Sequence, residues 1–291
     1  MESGADNSPL VVIVGQTASG KTALAIELAT RFNGEVVAAD SRTVYRGMDI
    51  GTAKPTLEER ALVPHHLIDI IEPNEPFTVA DFKHLADKAI KDIVSRGKLP
   101  LLVGGSGLYV DAVIYNFQFR TPSDLTKRAY LQTLSVQELQ NLLQTRDLPL
   151  PHNASNPRHL IRAIETKGAP SLRHALRPGI LLMGLAPEKE ELTRRIMRRV
   201  DGMFAQGLID EARRLNKKYS WDLPALQTPG YKTFRRYLAG EAPLDGAREE
   251  CIRSHIQYAK RQKTWFKRDK NIIWISKSEE AVDLVTTLLN K

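Results

Sequence analysis

The sequence predicts an α/β fold: a parallel sheet flanked by helices, with a small helical insertion. Three observations carry that expectation. The apolar run Leu10-Val11-Val12-Ile13-Val14 passes through the turn Gly15-Gln16-Thr17-Ala18-Ser19-Gly20-Lys21-Thr22 into the helical Ala23-Leu24-Ala25-Ile26-Glu27-Leu28-Ala29. A second buried run, Leu99-Pro100-Leu101-Leu102-Val103, ends in another glycine-rich turn, Gly104-Gly105-Ser106-Gly107. Between them strand and helix signals alternate, an order that lays parallel strands side by side. From Tyr115 the character changes to leucine-bearing helices broken by prolines. The expected organisation is a core of residues 1–115 and 179–291 interrupted by a helical insertion at 116–178.

The first turn has the pattern G-x-x-x-x-G-K-[ST], a P-loop, with the correct strand before it and helix after it. Its glycines let the backbone fold back so that successive N–H groups point at an anion. The helix beginning there adds its positive end. Lys21 supplies a mobile cation, and Thr22 a hydroxyl suited to Mg²⁺. The motif states that a polyphosphate binds, in a P-loop NTPase-like core, without stating which one.

The remaining elements follow in order. Glu35-Val36-Val37-Ala38-Ala39 reads as a strand ending at Asp40-Ser41-Arg42-Thr43, so Asp40 should face the P-loop crevice, because ligands gather at the carboxyl ends of such strands. Residues 45–55 are glycine-rich and irregular, and Pro64 to Ile70 reads as a short edge strand. Its adjacent His65 and His66 are either hydrogen-bonding histidines or, given a partner, metal ligands. Thr78 with Asp81 forms a capping pattern for a helix running to Arg96-Gly97. One helix is expected from Asp124 to Thr145, and another over Arg158 to Glu165, where Arg158 and Arg162 share a face and either grip phosphate or are merely solvated. Gly179 to Leu185 reads as a strand, followed by helices from Lys189 to Met203 and from Leu208 to Tyr219. Pro229 to Thr233 reads as a helix start, and Leu244 to Arg268 as a long amphipathic helix. There Tyr258, Arg261, Gln262 and Trp265 lie off the apolar stripe of Ile252, Ile256, Ala259 and Phe266. Aromatics among Lys260, Arg261, Lys263, Lys267 and Arg268 suit RNA, where bases stack and phosphates pair, or else simply pack. A strand at Asn271 to Ile275 and a helix capped by Ser278 complete the chain.

The chain has 291 residues, 42% hydrophobic and 26% charged, with one cysteine, Cys251. That excludes a disulfide framework and any multi-cysteine zinc site. Met1 to Pro9 is small and polar, unlike a signal peptide, and no apolar run approaches a membrane span. The expected setting is cytoplasmic. A net charge of +8, concentrated around Arg158–Arg177, Arg194–Arg199, Arg213–Lys218 and Arg253–Lys270, points to a polyanionic partner.

Seven stretches together resemble the tRNA dimethylallyltransferase family, also called tRNA isopentenyltransferases: GQTASGKT at 15–22, DSRTVYRGMDIGTAKP at 40–55, PHHLID at 64–69, GGSGLY at 104–109, RHLIRAIE at 158–165, GYK at 230–232 and AKRQKTWFKR at 259–268. The resemblance spans nearly the whole chain, and the second stretch is highly specific. It implies transfer of a dimethylallyl group from its diphosphate to the exocyclic amine of the adenine just after the anticodon. On that basis Gly15, Gln16, Thr17, Ala18, Ser19, Gly20, Lys21 and Thr22 hold the diphosphate, with Mg²⁺ at Thr22. Asp40 is the general base, and Lys21 and Ser106 also act in catalysis. Asp40, Ser41, Arg42, Thr43, Ser106, Arg128, Arg158, His159, Leu160, Ile161, Arg162, Lys260 and Arg261 touch the tRNA anticodon stem-loop. A monomer without a membrane association is expected.

The sequence also departs from that family. Thr43 stands for a usual glutamine, Ser106 for threonine, His159 for arginine, and His255-Ile256 for a Thr-Arg pair. Three rivals stand beside this reading: an adenylate isopentenyltransferase acting on free AMP, ADP or ATP, a P-loop kinase, and a non-catalytic RNA-binding module. The basic-aromatic helix argues against the first, and intact Lys21, Thr22 and Asp40 argue against the last.

Overall fold

The computed structural model describes residues 8–119, 124–169 and 172–290, so most of the polar N-terminal stretch read above lies outside the described residues. The chain divides into two compact units, Met1–Ile114 with Leu176–Lys291, and Tyr115–Ala175. The larger unit begins with β1 (Leu10–Gly15), α1 (Lys21–Arg31), β2 (Gly34–Ala38), α2 (Leu57–Leu62), β3 (His65–His66), α3 (Val79–Ser95), β4 (Leu99–Gly104) and α4 (Gly107–Ile114). The smaller unit holds α5 (Leu125–Thr133), α6 (Val136–Thr145) and α7 (Pro157–Glu165). The larger unit resumes with β5 (Ile180–Leu185), α8 (Lys189–Ala205), α9 (Leu208–Lys218), α10 (Arg235–Leu238), α11 (Leu244–Phe266), β6 (Ile273–Ile275) and α12 (Ser278–Leu289).

The sheet has six strands in the order β3-β2-β4-β1-β5-β6, every pair parallel. Parallel strands covered on both faces read as continuous apolar runs. Leu10, Val11, Val12, Ile13 and Val14 are accordingly all fully buried. Alternate β1 residues Val11 and Ile13 join Leu24, Ala25 and Leu28 of α1 and Ala281, Val282 and Val285 of α12 in one cluster. α3 buries Phe82, Ala86, Ile90 and Ile93, and the Phe82 ring stacks on Tyr109 of α4 at 4.2 Å. β1 lies between β4 and β5, so its carboxyl end, and the P-loop that follows, sits in the middle of the sheet.

Four expectations need correction. The stretch Asp124 to Thr145 is two helices, because Ser135 forms a capping box with Glu138 and starts a new one after Leu134. The edge strand shrinks to His65–His66, since Leu67 (φ 63°) and Asp69 (φ 57°) turn left-handed. Pro229 opens no helix: a 3-10 turn spans Lys232–Phe234 before the short α10. Ser278 is the first helical residue rather than the cap, and Glu280 instead accepts from the backbone N–H groups of Ser276 and Lys277. The histidine pair is of the hydrogen-bonding kind. His65 donates from Nδ1 to the Val63 carbonyl at 2.7 Å, and His66 Nε2 lies 2.8 Å from Glu35 Oε2.

Candidate active site

The P-loop is built by backbone geometry. Gly15 adopts φ 149°, and a Cβ there would stand 2.5 Å from the Leu185 carbonyl oxygen of β5. Ala18 and Gly20 are left-handed at φ 60° and 100°, and Gly20 is the N-cap of α1. Lys21 Nζ donates to the Gln16 carbonyl at 2.7 Å. Loss of hydration and the nearby Arg199 guanidinium push its ammonium down to about 7, against the opposing pull of Asp40. Thr22 is exposed.

The long helix α11 locks the loop from behind. Gln262 accepts from the Thr17 N–H at 2.7 Å and donates to the Gly105 carbonyl at 3.0 Å, so one buried amide joins the P-loop to the second glycine turn. Gln16 is itself buried and donates to the Ala259 carbonyl at 3.1 Å. From α8, Arg199 donates to Thr17 Oγ1 at 3.1 Å and to the Ala53 carbonyl at 3.3 Å. Arg195, Arg194 and Arg198 all pair with Glu191, and Arg195 also donates to the Ser19 carbonyl of the P-loop at 3.4 Å.

Asp40 follows β2. Its Oδ1 accepts the Arg42 N–H at 2.8 Å, an Asx turn that fixes the carboxylate, while Oδ2 makes no hydrogen bond among the described residues. Ser106, after β4, accepts the Ser41 N–H at 2.9 Å and lies 3.2 Å from the Ser41 hydroxyl. Thr43 is buried, and its hydroxyl is sealed without a partner among the described residues. Arg42 turns to the Pro224 carbonyl at 2.8 Å.

A cavity of about 360 Å³ contains Thr17, Lys21, Thr22 and Arg199 together with Asp40, Tyr258 and Arg261. A second, of about 840 Å³, shares Lys21, Thr22 and Arg199 and adds Lys54, Arg60 and Arg195. The phosphate cradle therefore lies between two openings of the same unit. Burial, with Asp40 nearby, pushes the Tyr258 hydroxyl up to about 12. Arg261 lies over the Tyr258 ring at 5.7 Å.

The irregular segment 45–55 is held by buried acids and bases. Glu211 accepts the N–H groups of Asp49 and Ile50, both at 3.0 Å, and of Gly51 at 2.9 Å, and takes the Tyr231 hydroxyl at 2.7 Å. Lys54 is buried between Asp49, Asp69 and the Tyr45 carbonyl.

The other predicted contacts are placed as follows. Lys260 and Arg261 are exposed on α11. Trp265 is not free for stacking on a base: its indole covers Gly107, where a Cβ would meet it at 2.2 Å, and its Nε1 donates to Asp111 at 3.2 Å. In the helical unit Arg158 and His159 are exposed, and they line a groove with Arg162. Leu160 and Ile161 are corrected: at 0% and 4% exposure they belong to that unit's apolar core, so their side chains cannot reach RNA. Arg128 and Arg162 both approach Glu165, at 3.2 and 3.6 Å.

Gln262 and Arg199 were not picked out as site residues from sequence, and Tyr258 was read only as an aromatic of the basic helix that either stacks on RNA or packs. The available signal was the i, i+4 spacing that sets Arg195 and Arg199 on one face of α8, and Tyr258 and Gln262 on one face of α11.

A family model described as IPP transferase matches residues 43–269. The tRNA dimethylallyltransferase of Anoxybacillus flavithermus is 42% identical over 286 residues, spanning 94% of this chain and 92% of that protein. The crystal structure of the full-length tRNA isopentenylpyrophosphate transferase from Bacillus halodurans matches at 42% identity with a TM-score of 0.76, covering 97% of each chain. A eukaryotic dimethylallyltransferase, seen in crystallographic snapshots acting on tRNA, matches at 28% identity with a TM-score of 0.78, over 89% of this chain and 70% of that one.

Proposed function

This chain belongs to the IPP transferase family, and from that premise we propose how it works as a tRNA dimethylallyltransferase. It transfers a dimethylallyl group from dimethylallyl diphosphate to the exocyclic amine of the adenine 3′ of the anticodon in tRNA, releasing diphosphate. The observation that carries the site assignment is the single cavity shared by the P-loop and Asp40. One side receives an anion, and the other offers a carboxylate with a free oxygen.

As the allylic C–O bond breaks, negative charge builds on the diphosphate. Lys21 and Arg199 line that cavity, and they stabilise the charge by exchanging their bonds to the Gln16 and Ala53 carbonyls for the diphosphate oxygens. The amine attacks the allylic carbon and loses its proton to Asp40. An aryl amine is weakly basic, so a carboxylate within hydrogen-bond reach suffices. Ser106, anchored on Ser41, borders the strand end that carries Asp40 and orients the incoming amine. The adenine must leave its stack to enter, because stacking hides the amine.

Magnesium fits this site in a limited way. Thr22 lines both cavities, yet no cluster of three or more His, Cys, Asp or Glu able to hold a metal occurs among the described residues. Thr22 would therefore hold an ion that arrives with the diphosphate, whose oxygens fill much of its shell. When bound, such an ion neutralises part of the leaving group's charge.

Arg261 offers a cation at the cavity and Lys260 one on the exposed face of α11 in the larger unit, and Arg158, His159 and Arg162 offer them on the helical unit. Every group invoked comes from one chain, which is compatible with the expected monomer. The test is labelled dimethylallyl diphosphate offered with unmodified tRNA, or with AMP, ADP or ATP. Label should enter tRNA alone. Label on a free nucleotide, or release of ADP from ATP, would overturn this reading.

A further inference from the structure

We propose that His255 is a further ligand of the diphosphate, neutral in the free protein and taking up a proton at Nε2 as the anion arrives. The proposal rests on the diphosphate reading of the cavity. His255 lies on α11 with 6% of its surface exposed and lines the same cavity as Lys21 and Asp40. Its Nδ1 stands 2.9 Å from the Cys251 carbonyl one turn back. A carbonyl only accepts, so Nδ1 carries the hydrogen and the neutral ring keeps its lone pair at Nε2. That nitrogen makes no hydrogen bond among the described residues. Nor is it one of the side-chain atoms sealed without a partner among the described residues, which are on Gln16, Ser19, Thr43 and Thr228. It is therefore open to the cavity.

The groups around it decide its charge. Arg199 of α8 acts on it directly, Cys251 Sγ lies 3.6 Å from its Nδ1, and Lys21, Asp40, Arg42, His65, Tyr258 and Arg261 line the same cavity. The adjoining Thr228-Pro229 segment brings no titratable group. Burial and the Arg199 guanidinium hold the imidazole below its ordinary value, so the free site does not accept another positive charge. A diphosphate reverses that balance. Its oxygens neutralise Arg199 and Lys21 and offer Nε2–H an anionic acceptor, making a charge-assisted hydrogen bond. The proton comes from solvent on binding and returns to solvent when diphosphate leaves. A histidine that only packs against Cys251 would show no such linkage.

The test uses the full-length chain and inorganic diphosphate. The His255 ring signal, assigned by its absence in His255→Gln, is titrated by NMR with and without diphosphate. Its titration midpoint should rise by about one to three pH units when diphosphate is present, the effect of an opposite charge in direct contact. Calorimetry in buffers of differing ionisation heat should show more protons taken up by the wild type than by His255→Gln. A midpoint unmoved while diphosphate binds would overturn the proposal and leave the cavity assignment standing. Failure of the wild-type chain to bind diphosphate would overturn both.

Discussion

At the scale of single residues, the site separates into groups that touch reacting atoms and groups that hold them in place. On the proposed mechanism Asp40 belongs to the first kind. Asp40→Ala should keep tRNA affinity near normal and lower turnover by about 10²–10⁴-fold, the usual loss on removing a general base. Near-normal turnover in single-turnover kinetics would reduce Asp40 to a structural role. Gln262 belongs to the second kind, since its amide links Thr17 to Gly105. Gln262→Ala leaves a buried N–H and a carbonyl without partners, which costs about 1–3 kcal/mol for each group left unsatisfied. The variant should bind inorganic diphosphate more weakly and unfold earlier in denaturant. Unchanged diphosphate affinity would mean that the loop holds its shape without α11.

Placement was legible from sequence only where the geometry lies inside one turn. Gly15 to Thr22 form the loop between β1 and α1, and Asp40 stands at the end of β2 in the same cavity. Gln262 meets its partner Thr17 across 245 positions, and periodicity alone set it on a polar face beside Arg261. Only the docking of α11 on the P-loop shows that this face is partly buried. The same limit applies to Leu160 and Ile161: the motif placed them with two arginines, while the apolar stripe of α7 turns them inward.

At the scale of elements, two features set local stability. Ser135 divides the expected long helix by capping α6, and its hydroxyl accepts the Glu138 N–H. Ser135→Ala should cost about 1 kcal/mol of stability, the usual effect of losing an N-cap, read as a lower denaturant midpoint. Glu35 on β2 is the second. Arg96, Lys98 and His66 all pair with its carboxylate, and these hydrogen bonds outweigh burial and hold its pKa well below the usual range. A depressed folded-state pKa stabilises the protein above the unfolded value of about 4.3, and that contribution fades as pH falls through the folded one. Arg96 and Lys98 are 38% and 31% exposed, so solvent screens part of the effect. Glu35→Gln should therefore cost about 1–3 kcal/mol at pH 7. The gap from wild type should narrow in urea titrations below about pH 4. A gap constant from pH 7 to pH 3 would show that charge has no part in it.

At the scale of the whole molecule, the parallel sheet was legible because buried parallel strands read as apolar runs with glycine turns at their carboxyl ends. The division of the helical unit was less so, since leucine spacing alone did not mark the break at Ser135. Uneven positive charge was also visible, but its use depends on where each cation points. Lys260 and Arg261 are exposed, whereas Arg128 is drawn to Glu165. Lys260→Ala and Arg261→Ala should each weaken tRNA binding and reduce the slope of log K against log salt by about 0.7–0.9. An unchanged slope for both would leave α11 a solvated face.

On the proposed mechanism the cavity joining Asp40 to the P-loop prenylates an adenine of tRNA. The most direct measurement is mass spectrometry of nuclease-digested tRNA after incubation with the chain, Mg²⁺ and dimethylallyl diphosphate, with Asp40→Ala in parallel. The wild type should add one dimethylallyl group to the adenosine 3′ of the anticodon, and the variant little or none. A modified adenosine at equal yield in both, or an unmodified tRNA beside a prenylated free nucleotide, would contradict it.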